Sequence, residues 1–120
     1  MKGLRTIGQA ILYVSDMGRS VTFYRDEVGL DLKYPQDSAD WSKEYWVVFD
    51  VGGFELALHH GPAKQSKEAP ALKFYVEYLE AAHSDLTSRG VVVEPIVEPY
   101  PGVRHFHFLD PDGQVWFVSV

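Results

Sequence analysis

Two histidines spaced two apart are the first place in this chain where side chains can do chemistry together. His105 and His107 lie in VRHFHFL, a run that reads as a β-strand, and a period of two puts both imidazoles on one face. Such a pair can ligate a metal through ring nitrogens or hydrogen-bond to a ligand carbonyl or hydroxyl. The plain alternative is that both pack against neighbouring aromatics or bond across strands. His59, His60 and His83 are the other three histidines, and His83 falls on the expected solvent side of a helix. The absence of cysteine removes thiolate catalysis, disulfides and Cys-based zinc sites together. Gly52-Gly53 reads as a hairpin turn. Neither GxGxxG nor GxxxxGK occurs, so phosphate-loop and dinucleotide chemistry have no support.

Charge narrows the partners. The net charge of −6 argues against nucleic acid, whose phosphates need clustered Lys and Arg, and is compatible with a neutral or cationic ligand. With 120 residues, 46% of them hydrophobic, the chain is long enough for one domain with a sizeable core. Lys2 and Arg5 precede only a short apolar run, interrupted by Asp16. No signal peptide or membrane span is visible, so a cytoplasmic protein with no membrane partner is expected.

The elements that must position these residues are written twice. An apolar run ending at Val14 precedes one amphipathic stretch and a run ending at Val76 precedes another, an offset of 62 residues (76 − 14). In the first copy, residues 6–14 read as a strand and Ser15 or Asp16 as a helix cap. Met17, Val21, Tyr24 and Val28 form one helix face, which Gly29 ends. Strands are expected at 30–34, 45–51 and 54–60. Residues 61–70, GPAKQSKEAP, are the expected linker. In the second copy a strand at 71–76 leads to a helix marked by Leu79, Ala82 and Leu86. Strands at 91–97, 103–109 and 115–120 follow, with Asp110-Pro111-Asp112-Gly113 as a tight turn. The order is βαβββ twice, in modules of about 1–60 and 71–120 within one domain.

Strand parity then sorts the side chains. One set holds Ala10, Leu12, Val14, Leu56, Leu58, Leu72, Phe74, Trp116 and Val118, uniformly apolar as a helix-packed core layer should be. The other holds Gln9, Ile11, Tyr13, Glu55, Ala57, His59, Lys73, Tyr75, His105, His107, Phe117 and Ser119. Aromatic rings with a few polar groups are the usual make-up of an organic-ligand site.

The pattern Gln9-x-x-Leu12-x-Val14-x-Asp16-x-x-x-Ser20-x-x-Phe23-Tyr24, with LDPDGQVWFVSV near the end, resembles the vicinal oxygen chelate superfamily. That superfamily includes glyoxalase I, bleomycin-resistance proteins, fosfomycin-resistance transferases and extradiol dioxygenases. The resemblance covers nearly the whole chain. It implies an α+β fold in which paired βαβββ modules form a concave mixed sheet with helices outside, and a homodimer as in many relatives. In metal-dependent members each module supplies ligands from its first and last strands, which carries over to Gln9 and Glu55, then Ala71 and Phe117. Both pairs keep the offset of 62. Ala71 has no donor atom and Phe117 puts a ring where a carboxylate would sit, so neither the usual metal nor any other cofactor is expected. In fosfomycin-resistance relatives the positions of His105 and His107 face the ligand. With Glu55 they make an unconventional metal site the lesser alternative.

Lys73, two residues after Ala71, is placed to supply the positive charge a metal would have supplied, pairing with Glu55 or an anionic ligand, or else to snorkel to the rim. Trp41 and Tyr100 stand in loops where they close the pocket by stacking on a ligand, cover core edges or form a dimer contact. The expected ligand is an aromatic or cationic small organic molecule contacting Gln9, Tyr13, Glu55, Lys73, Tyr75, His105, His107 and Phe117. Two functions stay open: a metal-free binding protein similar to bleomycin-resistance proteins, and a lyase, isomerase or dioxygenase-like enzyme.

Overall fold

The computed structural model describes residues 1–62 and 69–120, and the alternation of the sequence appears there as two four-stranded mixed sheets. The first contains β1 (Gln9–Val14), β2 (Asp31–Tyr34), β3 (Trp46–Val51) and β4 (Phe54–His60), ordered β1-β4-β3-β2. The second contains β5 (Leu72–Tyr75), β6 (Val97–Tyr100), β7 (Val103–Leu109) and β8 (Val115–Ser119), ordered β5-β8-β7-β6. In each sheet the first strand pairs parallel with the last, and the remaining pairs are antiparallel. The expected linker falls largely on residues 63–68, which lie outside the described residues.

Local chemistry explains the helices. Asp16 accepts the Arg19 N–H at 3.1 Å and caps α1 (Met17–Val21). Thr22–Val28 continue it as a wider π-helical stretch. Gly29 then turns the chain at φ +87°, and its N–H and that of Leu30 both donate to the Tyr24 carbonyl. A left-handed φ favours glycine, which has no Cβ to clash. In the second module α2 (Leu79–Ser88) buries Leu79 and Leu86.

One strand lies later than its sequence suggests. Residues 91–97 do not form a strand. Val93 makes an isolated bridge to Phe108, and β6 begins only at Val97. The Glu94 N–H also donates to the His107 carbonyl, but Pro95 has no N–H to continue the ladder, and the register shifts again between Val97 and Tyr100, around Pro99.

The apolar parity set packs as one core spanning both modules. Tyr24 is its wedge. The ring lies 6.1 Å from Phe49 of the first sheet and 6.2 Å from Trp116 of the second, while Phe23 lies 6.1 Å from Phe108. The Tyr24 hydroxyl donates to Asp110 at 2.6 Å and accepts the Trp116 indole N–H at 3.0 Å. Burial, then the Asp110 charge, holds Tyr24 well above the ordinary tyrosine range, so the hydroxyl keeps its proton and donates. Burial raises Asp110, opposed by Tyr24 and by the backbone N–H groups of Gln114 and Asp112. Asp112 in turn accepts the Ser15 N–H and hydroxyl. The DPDG turn is therefore a latch between modules as well as a turn.

Among the described residues no helix is long and apolar enough to cross a membrane.

Candidate functional site

Because the sheets share their apolar faces, the opposite faces look away from that core, with the helical segments behind them. Each face carries a share of the candidate residues in ordered rungs.

On the first sheet, Gln9 pairs with Glu55 and Tyr13 with His59 across β1 and β4. Gln9 donates its Nε2 to Glu55 Oε1 at 2.9 Å. Lys33 on β2 ion-pairs with the other oxygen of the same carboxylate. Lys33 first, and Gln9 second, holds Glu55 below the ordinary glutamate range. Two residues along, Ile11 is half exposed over the buried Ala57. At the far end Tyr13 lies 5.1 Å from the His59 ring, which also meets Trp46 edge-on at 6.0 Å. The face is therefore polar at one end and aromatic at the other.

On the second sheet, one rung reads Lys73, Phe117, His107 and the next reads Tyr75, Ser119, His105. Phe117 is the centre of this grid. His105 meets its ring edge-on at 5.4 Å, and His107 meets it tilted at 5.7 Å. The Lys73 ammonium sits 5.7 Å from the Tyr75 ring centroid. An open cavity of about 330 Å³ lies beside the second rung, lined in part by Lys73, Tyr75, Arg104, His105 and Ser119.

The eight residues singled out in the sequence thus form two groups. Gln9, Tyr13 and Glu55 share the first sheet, and Lys73, Tyr75, His105, His107 and Phe117 share the second. The partner of Glu55 is Lys33 rather than Lys73. Lys33 and Trp46 complete the first group and were not read from the sequence. Lys33 follows the core residue Leu32 where the β2–β3 register shifts, so strand parity alone did not announce its reach to Glu55. Trp41 covers a core edge under the Arg25 guanidinium, 5.6 Å from its ring. Tyr100 stays exposed.

The donor set does not fit a divalent cation within one chain. Glu55 already receives Gln9 and Lys33, Ala71 offers no donor, and the Phe117 ring fills the fourth position. No three His, Cys, Asp or Glu side chains converge among the described residues.

A family model described as "Glyoxalase/Bleomycin resistance protein/Dioxygenase superfamily" matches residues 6–118. The chain belongs to this superfamily. The chain is 30% identical over 119 residues to the uncharacterized protein YraH of Bacillus subtilis strain 168, covering 87% of this chain and 89% of YraH. The solved structure of SMU.1112c superposes with a TM-score of 0.79 at 25% identity, over 96% of this chain and 98% of that one. The fosfomycin resistance protein FosX of Listeria monocytogenes superposes at 0.78 with 15% identity, over 98% and 94%. At that identity FosX shares the fold, and a superfamily that spans several chemistries leaves the activity to the site itself.

Proposed function

We propose that this chain is a small-molecule-binding protein similar to bleomycin-resistance proteins, which takes a planar aromatic compound on the exposed sheet faces without a metal. The observation that carries this reading is the Phe117 rung. A ring flanked by two imidazoles stands where metal-dependent relatives would supply a carboxylate, and it gives a flat ligand a stacking surface. Stacking contributes about 0.5–1.5 kcal/mol per ring, so two or three rings support micromolar binding once the apolar area is added.

The same reading makes the protein a cytoplasmic homodimer with no nucleic-acid or membrane partner. Ile11 and Tyr13 on one sheet and Tyr75 on the other are at least half exposed. A second copy laid with its first sheet over this second sheet would cover them and enclose the ligand between the two groups. The competing reading, a metal-dependent lyase or isomerase resembling glyoxalase I or a dioxygenase-like oxidoreductase, is favoured by one feature: Gln9 and Glu55, the two residues of the first module at ligand positions of metal-dependent relatives, stand side by side on one rung.

The test joins a thermal-shift screen of planar compounds with a hemithioacetal isomerase assay, elemental analysis and light scattering. Stabilisation by a planar compound that is lost in Phe117→Ala, with the fold intact, is expected. Isomerase turnover that disappears in chelator, with about one metal per chain, would put the enzyme first. A monodisperse monomer at all concentrations would remove the enclosed site.

A further inference from the structure

We infer that the second sheet recognises an anionic group on its ligand, with Lys73 as the charge partner and His105 as a second hydrogen-bonding group. The inference rests on the planar-ligand reading and names the charge that reading leaves open.

The overall charge of −6 favours a neutral or cationic ligand, but the local arrangement reverses that preference. On the first sheet Glu55 is ion-paired with Lys33 and hydrogen-bonded by Gln9, and Asp50 and Asp31 continue its rung, so that end of the face is acidic. A cationic ligand binding Glu55 itself would have to displace Lys33 from it. On the second sheet the balance is opposite. The side chains that line the 330 Å³ cavity include Lys73, Arg104 and His105, and none belongs to Asp or Glu. Arg104 is balanced by Glu80 and Glu98, which hold its guanidinium from outside that lining. Lys73 makes no ion pair among the described residues and is instead held over the Tyr75 ring. A second observation points the same way. His105 lines the same cavity, and its buried Nδ1 lacks a hydrogen-bond partner among the described residues, so nothing there holds the ring and its rotation would turn a nitrogen toward a ligand oxygen.

The geometry suits a flat anion. Lys73 and His105 flank Phe117 and Ser119 on adjacent rungs, so the central strand β8 separates the cation from the imidazole. Neighbouring strands are about 4.8 Å apart, which leaves about 10 Å between the outer two. A bicyclic ring lying on Phe117 spans that width, with a carboxylate reaching the Lys73 and Tyr75 end. The ligand class is therefore a planar aromatic carboxylate.

The experiment uses three probes of one shape and different charge: 1-naphthoate, 1-naphthamide and 1-naphthylmethylammonium, titrated by calorimetry into the full-length protein. Naphthoate is expected to bind about tenfold more tightly than naphthamide, and more weakly as salt rises from about 50 to about 500 mM. Lys73→Met should bring naphthoate to the naphthamide level and leave naphthamide within about twofold. Lys73→Arg, which keeps the charge, should retain most of the preference. Melting curves establish that each variant is folded. Naphthamide or the ammonium binding as tightly as naphthoate, or Lys73→Met leaving naphthoate unchanged, overturns the anionic assignment and leaves the planar-ligand reading standing. No binding by any of the three at millimolar concentration overturns both.

Discussion

Replacing Tyr24 by Phe removes one oxygen and tests whether the two modules are held by the latch as described. The hydroxyl donates to the buried Asp110 carboxylate at 2.6 Å and accepts the buried Trp116 indole N–H at 3.0 Å. A hydrogen bond to a charged group contributes about 1.5–3 kcal/mol, and an orphaned buried donor costs about 1–3 kcal/mol. Asp110 keeps the Asp112 and Gln114 N–H groups, so the lower part of the combined range applies, about 3 kcal/mol. At about 2.1 cal/mol/K per residue, unfolding 120 residues carries an entropy of about 0.25 kcal/mol/K. The loss therefore corresponds to a drop in melting temperature of about 12 °C. Differential scanning calorimetry measures it, with Tyr13→Phe on an exposed site as a control expected within about 2 °C. A drop under about 4 °C in Tyr24→Phe would refute the latch as a main joint between modules. A double-mutant cycle with Asp110→Asn should then show coupling of at least about 1 kcal/mol.

The ion pair on the first sheet makes a pH prediction. Glu55 is held below its ordinary value of 4.5, so its contribution to stability is present above that value and fades as pH falls through the folded-state value. Lys33→Met should move the Glu55 titration upward in a carboxyl-resolved NMR experiment, and an unmoved curve would show that Lys33 is not the cause. A second variant joins Ala71→His with Phe117→Glu. It should bind Ni or Zn through those groups with Gln9 and Glu55 only where two copies face each other. Its metal affinity should accordingly fall on dilution to monomer, whereas concentration-independent metal binding would contradict the separation of the two groups within one chain.

Much of the fold was legible because strands alternate with a period of two. Leu12, Val14, Leu56, Leu58, Trp116 and Val118 are all buried, while Ile11, Tyr13 and Tyr75 beside them are exposed, as parity requires. The offset of 62 also matched β1 to β5 and β4 to β8, which have the same place and pairing in their sheets. Other features lay beyond periodicity. The late start of β6 depends on which backbone donors a proline removes. The Lys33 ion pair depends on pairing across β2 and β3, whose register shifts between Leu32 and Tyr34. How two modules pack against each other is decided by Tyr24, Asp110 and Trp116 reaching across 86 and 92 residues of sequence, which no local pattern announces.

Tyr24 belongs to the first module, yet its ring and hydroxyl complete the core of the second through Trp116 and Asp110. A lone βαβββ unit would leave an aromatic sheet face open to water, so either half of the chain expressed alone is expected to need the other half to fold. The joint takes up the inner faces and leaves both outer faces for binding, one with its Gln9–Glu55–Lys33 cluster and the other with a Lys73 that makes no ion pair among the described residues.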